Sequence, residues 1–195
     1  MNTPLSRLAE AIAAAALDLY LVPMADEFGS EYIPACAARL PYLTGFTGSA
    51  GFGAFWAKPD DTHPHSLFVD GRYTLQAARE IGERPIHMVH SSETSFSQWL
   101  EHQRDGLRIG FDPWLTPEAQ REAWEEAFPQ HQWHAIPHNL VDRLWADRPA
   151  PPAGAIHLQD LAYAGAPYAE KREAVLAHLP PTRRVGSKPY LIEGL

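Results

Sequence analysis

The loop from Gly45 to Gly51, with sequence GFTGSAG, contains residue types that could do chemistry. Its evenly spaced glycines could cradle a phosphate, and Ser49 could act as a nucleophile. A Walker-type loop needs a lysine after its last glycine, but Phe52 follows. A nucleophile elbow needs a glycine where Thr47 stands, and a helix rather than a strand pattern after it. The sequence therefore favours a tightly packed turn in which glycine permits close backbone approach.

The ten histidines raise the possibility of a transition-metal site. His131, His134 and His138 have helical spacing, but Pro129 and Pro137 bracket them and disfavour a helix. On a strand, His131 and His134 would point to opposite faces. We therefore expect no metal ligand and no catalytic residue in this chain.

The segment Val69–Ala77, VDGRYTLQA, is the strongest candidate for ligand contact. A predicted strand ends at Asp70, the chain turns at Gly71, and Arg72 begins a predicted helix. Such junctions carry the ligand-binding groups of many α/β sheets. Arg72 could donate two parallel hydrogen bonds to a carboxylate or carbonyl of a ligand, or form a salt bridge with Asp70 or another acid. The sequence leaves both interpretations open.

Helices and strands alternate over about 145 residues and position these groups. The first predicted helix has Leu5, Leu8 and Ile12 on one face. Apolar runs predict strands over residues 17–22, 51–57, 66–70, 84–90, 107–112 and 132–136. Helical patterns cover residues 35–45, 71–82, 92–103, 116–128 and 139–148. This order predicts an α/β fold, with a mixed β-sheet of about six strands flanked by helices on both faces.

Several helix ends carry recognisable capping residues. Thr3 precedes Pro4, a residue suited to the first helical position. Ser92 and Ser95 are both candidates for the next clear cap. Thr116 is predicted to cap a helix whose first residue is Pro117.

Composition changes near Arg148, which suggests a domain boundary. We predict a first domain over residues 1–148 and a proline-rich linker over 149–160. Residues 161–179 contain a new helical pattern and look like the start of a truncated second domain, followed by an aperiodic tail, 180–195. The residues after the linker are too few to build an unaided core.

Charge and composition exclude some classes of partner. The formal net charge is −8, so the chain lacks the positive charge that drives nucleic-acid binding. The single cysteine, Cys36, fits a reducing compartment because it cannot form an internal disulfide. No apolar run reaches the length of about 18 residues needed to cross a membrane, and Asp18 interrupts the N-terminal one.

Five blocks of the sequence occur in a recognisable order. They are SEYIPACAARLPYLTGFTGSAG, VDGRYTLQA, GFDPWLTP, NLVDRLWADRP and YAGAPYAEK. In this order and at these spacings they resemble the N-terminal region of the Xaa-Pro aminopeptidases, which are three-domain metallopeptidases of the group that includes creatinase and prolidase. The resemblance covers roughly residues 5–178, and the order of the blocks makes it specific.

The resemblance implies a creatinase/prolidase N-terminal domain in a cytoplasmic enzyme. A second domain and a catalytic domain follow in this family. The catalytic domain holds two manganese or similar divalent ions and cleaves the bond between a first residue and a following proline. None of the blocks that carry those ligands is in this chain, so we expect it to be inactive alone. The arginine that reaches toward the substrate cleft in the family maps onto Arg72.

The implied role is therefore non-catalytic: substrate positioning and subunit assembly within a whole enzyme. The implied partners are the N-terminal region of Xaa-Pro peptides, the second and catalytic domains, and a second copy in a homodimer. The alternative is a stand-alone peptide-binding or interaction module that has no catalysis of its own. The tail from Pro180 departs from the family pattern.

Overall fold

The computed structural model describes residues 3–178. Six strands form one sheet: β1 (Leu19–Pro23), β2 (Phe52–Trp56), β3 (His65–Val69), β4 (Ile86–His90), β5 (Arg108–Phe111) and β6 (Gln132–Ala135). The first six helices are α1 (Pro4–Ala14), α2 (Arg39–Thr44), α3 (Thr74–Ile81), α4 (Phe96–Glu101), α5 (Glu118–Ala127) and α6 (Leu140–Leu144). Two more follow, α7 (Leu161–Ala164) and α8 (Tyr168–His178). A 3₁₀ turn, Ala35–Ala37, precedes α2.

The sheet is mixed and has the strand order β4-β3-β2-β1-β5-β6. Strand β2 pairs antiparallel with β1 and with β3, as the predicted hairpin requires. The other pairs, β3–β4, β1–β5 and β5–β6, are parallel. Five strands therefore run in one direction, and their carboxyl ends lie at a single edge of the sheet.

Apolar side chains leave both faces of the sheet, because successive strand residues point to opposite sides. In β1, Tyr20 and Val22 enter a core cluster with α1, α2, α3 and α6, whereas Leu19 and Leu21 enter a second cluster with α4 and α5. Helices therefore cover both faces, and the predicted fold class is confirmed.

Most of the predicted helix ends are confirmed. Thr3 forms a capping box with Ser6, and Pro4 is the first residue of α1. Of the two candidate serines, Ser95 caps α4 by accepting a hydrogen bond from the backbone of Gln98. Gly45 ends α2 at a φ of 78°, a conformation that favours glycine.

The predicted start of α5 is wrong by one residue. Pro117 has extended backbone, with ψ of 142°, so it is the N-cap rather than the first helical residue. Thr116 therefore lies one position too early to cap the helix, and no side chain caps it. Helix α3 also begins later than predicted, at Thr74, because residues 71–73 form the turn that leaves β3.

A buried ion pair links α2 to α6. Arg39 in α2 donates from Nε and Nη2 to the carboxylate of Asp142 in α6, at 2.7 and 2.9 Å. Arg148 pairs with the same carboxylate at 2.7 Å and donates to the backbone oxygen of Cys36. This cluster fixes the last turn before the proline-rich segment.

Contacts divide the chain into two compact units between Pro152 and Ala153. Residues 149–160 contain no helix or strand and are exposed. Helices α7 and α8 bury none of their described residues, and Tyr163 and Tyr168 are exposed. The predicted tail, 180–195, lies outside the described residues. Across residues 3–178, no helix combines the length and apolar character that crossing a bilayer requires.

Candidate functional site

Three aspartates lie at the carboxyl edge of the sheet, each after one of the strands that run in the same direction. Asp70 follows β3, Asp112 follows β5, and Asp26 lies in the loop after β1. Strands β3 and β5 are three positions apart in the sheet, so their ends are separated by roughly 14 Å. Carboxyl ends of strands are the usual place for ligand contacts in α/β sheets.

Each aspartate accepts a backbone hydrogen bond from the residue two positions later. The acceptor–donor pairs are Asp26–Phe28 at 3.1 Å, Asp70–Arg72 at 2.9 Å and Asp112–Trp114 at 2.8 Å. Such turns hold the backbone locally without long-range support. They place an arginine and two aromatic rings in solvent: Arg72 is 70% exposed, Trp114 74% and Phe28 83%.

Arg72 forms a two-pronged ion pair with the carboxylate of Asp70. Its Nε lies 3.1 Å from Oδ1 and its Nη2 lies 2.7 Å from Oδ2. Among the described residues, no group accepts a hydrogen bond from Nη1. The salt-bridge interpretation of Arg72 is therefore correct, and the pair still leaves one guanidinium nitrogen available to a ligand.

Tyr73 connects this junction to the glycine loop. The Arg72 guanidinium lies 5.1 Å from the centre of the Tyr73 ring, a cation–π distance. The Tyr73 hydroxyl is 2.7 Å from the hydroxyl of Ser49, so the structure pairs Ser49 with a tyrosine rather than with a histidine base. Thr47 is tied to Glu80 of α3 through its backbone nitrogen and its hydroxyl, both at 2.8 Å.

The glycine loop is a packed turn beside the Asp70–Arg72 junction, as the sequence favoured. A Cβ on Gly48 would lie 2.8 Å from Cδ1 of Tyr73 and still closer to the ring of Phe46. Phe46 is fully buried, so its ring cannot move away from an added methyl group. Gly48 is therefore required by close approach and not by an unusual φ.

We expect Gly48→Ala to destabilise the fold by about 1–3 kcal/mol, because it overpacks the contact between Phe46 and Tyr73. Gly71→Ala is the matched control, since no atom lies within 4 Å of a Cβ at Gly71. Its effect should stay within about 0.5 kcal/mol. Urea unfolding followed by circular dichroism measures both. Equal effects of the two variants would show that the loop is not tightly packed.

Hydrogen bonds set the charges at this edge. Those from Arg72 lower the pKa of Asp70, and Asp70 in turn raises the pKa of Arg72. Burial acts to raise the pKa of Asp26, but hydrogen bonds from Ser30 and Phe28 outweigh it and lower the pKa. Both carboxylates and the guanidinium therefore stay charged at neutral pH.

The histidines are dispersed. His131 is buried, and its ring Nδ1 accepts from the backbone nitrogen of Leu107 at 3.4 Å. His134 lies in β6. Over residues 3–178, no three His, Cys, Asp or Glu side chains come together as a metal site would need. The described residues therefore do not fit a metal centre.

Sequence reasoning identified Arg72 but missed Phe28 and Trp114, two exposed aromatic side chains at the same edge. A signal for Trp114 was present. An aspartate directly after a strand, followed by a turn residue, predicts an Asx turn, and DPW has this form as DGR does. Phe28 had no such signal, because Asp26 does not directly follow β1. The contact between Ser49 and Tyr73 had no such signal, because it joins residues 24 positions apart.

Comparisons with known proteins agree with this architecture. The model of the creatinase/prolidase N-terminal domain matches residues 4–144. A probable Xaa-Pro aminopeptidase P of Coccidioides posadasii is 31% identical over 188 residues, which is 93% of this chain and 30% of that protein. Aminopeptidase P2 of Arabidopsis thaliana is 35% identical over 163 residues, or 80% of this chain and 22% of that protein. The chain thus spans less than a third of these relatives.

Solved structures give the same result. The X-prolyl aminopeptidase of Caenorhabditis elegans, described as a cytosolic enzyme with a di-nuclear active site, superposes with a TM-score of 0.76 and 26% identity. The match covers 90% of this chain and 31% of that one. The N-terminal domain of the cytoplasmic peptidase PepQ of Mycobacterium tuberculosis shares the fold at a TM-score of 0.53 and 23% identity, covering 72% of this chain and 97% of its own. The chain therefore belongs to the creatinase/prolidase N-terminal domain family.

Proposed function

We propose that this chain is the N-terminal, non-catalytic domain of a metal-dependent Xaa-Pro aminopeptidase, in which it positions the substrate and contributes to subunit assembly. The observation that carries the proposal is the state of Arg72. Asp70 holds it at the carboxyl edge of the sheet, largely exposed and with Nη1 unused among the described residues. Relatives named Xaa-Pro aminopeptidase P, aligned over most of this chain, supply the reaction class.

The chemistry of the edge suits a peptide that begins Xaa-Pro. A peptide has carbonyl oxygens and a carboxylate, both of which accept hydrogen bonds from a guanidinium. Its proline ring is apolar and rigid, and prolines commonly pack on aromatic side chains. Trp114 and Phe28 offer such rings at the same edge as Arg72.

Catalysis is assigned to later domains of the parent protein. The relatives are more than three times as long as the part that this chain matches. One of the similar structures is described as having a di-nuclear active site. We place the two divalent ions, manganese or similar, in that later part, where they would activate water for hydrolysis.

The second unit supports attachment to further domains. We assign residues 1–148 to the N-terminal domain, 149–160 to a linker, and 161–179 to the first helical segment of a second domain, with 180–195 as a divergent tail. Exposed Tyr163, Tyr168 and Val175 give that segment an apolar surface suited to packing against more protein. The second domain, the catalytic domain and a second copy of the subunit are the expected partners. We assign the parent enzyme to the cytoplasm, as its C. elegans relative is cytosolic.

Substitution of Arg72 in a full-length enzyme that carries this domain tests the proposal. Arg72→Ala removes a charged hydrogen bond to the substrate, so kcat/KM for an Xaa-Pro peptide should fall roughly tenfold to a hundredfold. Arg72→Lys should recover only part of the loss, because lysine lacks the planar fork. Steady-state kinetics with manganese present provides the measurement.

Arg79→Ala is the matched control, since Arg79 is an exposed arginine on α3, the helix that follows the Arg72 turn. It should leave kcat/KM unchanged. The 195-residue chain alone, with and without manganese, serves as the blank. Unchanged kinetics in Arg72→Ala would remove Arg72 from substrate positioning, and turnover by the chain alone would contradict the assignment of catalysis to later domains. A stable, defined assembly of the 195-residue chain in a sizing experiment would favour the stand-alone interaction module.

A further inference from the structure

A second concave site lies at the opposite, amino-terminal edge of the parallel strands. It is a cavity of about 540 Å³ formed where α1 ends, β2 ends and β5 begins. That volume lies in the range of small-molecule sites and far exceeds the space of a single water. Its polar and aromatic lining consists of Asp18, Trp56, Lys58, His63, Arg104 and Arg108.

The lining has a positive charge that contrasts with the rest of the protein. The lining includes three cationic side chains, Lys58, Arg104 and Arg108, and one carboxylate, that of Asp18. The local balance is thus positive, whereas the chain has a formal net charge of −8. A concave surface concentrates this field, so the cavity would attract anions that other surfaces repel.

The carboxylate of Asp18 neutralises only part of the positive charge of the lining. Its carboxylate accepts from the backbone nitrogen, Nε and Nη2 of Arg108 at 2.9–3.1 Å, and these hydrogen bonds, chiefly the side-chain ones, lower its pKa to about 2. Arg104 gives Asp18 a single hydrogen bond, from Nη2 at 3.1 Å. In the part of the chain that the structure describes, no group accepts from Arg104 Nε, Arg104 Nη1 or the ammonium of Lys58. Cationic donors therefore remain available inside the cavity.

One wall of the cavity is aromatic. The ring of His63 meets Trp56 edge-on, at 5.0 Å between ring centres. Trp56 is only 4% exposed and its indole nitrogen is buried, so the wall supplies ring surface and not a hydrogen-bond donor. Ala13 and Ala16, both exposed, add apolar surface to the lining.

We propose that this cavity binds a small organic oxyanion, a molecule with a phosphate or carboxylate head and a compact apolar body. The head pairs with Arg104 and Lys58, whose planar and tetrahedral donors suit oxyanions. The body packs against the exposed alanines Ala13 and Ala16, beside the wall formed by Trp56. Asp18 keeps Arg108 in place and orients Arg104, so the head finds its donors already arranged.

Isothermal titration of the 195-residue chain with three probes at low salt tests this site. Phenyl phosphate should bind with saturation and more tightly than inorganic phosphate, because only the former carries an apolar body. Benzoate distinguishes a carboxylate site from a phosphate site. Arg104→Gln and Lys58→Gln should each weaken binding of the best probe roughly tenfold, the effect of losing one charged hydrogen bond.

Arg79→Gln in α3, an exposed arginine that does not line the cavity, is the matched control and should bind as the unmodified chain does. Arg104 and Lys58 are also exposed, and thermal melts confirm that their variants stay folded. Absence of saturable binding by the unmodified chain for all three probes would overturn the proposal. Binding that both cavity variants retain at full strength would overturn it as well.

Discussion

Asp142→Ala is expected to destabilise the fold by about 3–5 kcal/mol, the cost of leaving a buried charge without its partner. The Arg39 side chain is 6% exposed and relies on Asp142 for two hydrogen bonds, at 2.7 and 2.9 Å. Its Nη1 is already buried without a partner among the described residues. Loss of Asp142 would therefore leave the whole guanidinium unpaired between α2 and α6. Arg148 would lose the same anchor.

Urea unfolding followed by tryptophan fluorescence measures this effect. Asp147→Ala is the matched control, because Asp147 is exposed and close in sequence, and it should change the free energy of unfolding by at most about 0.5 kcal/mol. Asp142→Asn keeps the shape but removes the charge, so it should give an intermediate loss. An Asp142→Ala protein as stable as the Asp147→Ala protein would show that Arg39 finds solvent or another partner.

The second large effect is a fall in stability as the pH drops from about 6.5 to 4. His65 is 1% exposed, and burial lowers its pKa from 6.5 to about 4. Its Nδ1 accepts a hydrogen bond from the backbone nitrogen of Trp56 at 3.2 Å, which favours the neutral ring. Between these pH values the unfolded chain binds a proton that the folded chain does not, so protonation stabilises the unfolded state relative to the folded state. The free energy of unfolding therefore falls by roughly 3 kcal/mol near pH 4.

Free energies of unfolding measured in urea at steps from pH 7.5 to 4 test this expectation. His65→Asn removes the titrating ring and should flatten the profile. Some slope should remain, because burial also lowers the pKa of His131. Carboxylates with a lowered pKa, Asp18 and Glu80 among them, also lose stabilisation as the pH approaches their unfolded values of 3.8 and 4.5. The contribution of His65 is therefore measured as the difference between the unmodified chain and His65→Asn. His157→Asn, in the exposed segment after Pro152, controls for loss of a histidine. Equal slopes in the unmodified chain and His65→Asn would refute the role of His65.

The helices and strands could be predicted because the sequence patterns that indicate them lie within a few neighbouring residues. Apolar alternation places Tyr20 and Leu21 on opposite faces of a strand, and this alternation alone requires a layer of helices on each side. Capping residues work in the same way, since Thr3 and Ser95 bond to groups three positions away. The exception is Pro117, where the threonine–proline pattern indicated a helix start but the backbone stays extended for one more residue.

Contacts between residues far apart in the sequence could not be predicted from such local patterns. Arg39 lies 103 positions from Asp142, and nothing near either residue indicates a buried ion pair. The same limit applies to the candidate site. The spacing of Asp70 and Arg72 indicated a salt bridge as one of two possibilities, but the support from Tyr73 depends on Ser49, which a separate loop supplies. The sequence therefore located the candidate arginine, Arg72, without its supporting contacts.

The central position of β1 determines when the domain can assemble during synthesis. Its partner β2 is made soon afterwards, but its other neighbour, β5, follows only at residues 108–111. A nascent chain therefore has one unpaired side of an apolar strand until residues 108–111 have left the ribosome. Unpaired strand edges recruit other chains, and domains rich in non-local pairs fold slowly. We expect β1 to be the segment at which slow translation or crowding of nascent chains leads to aggregation.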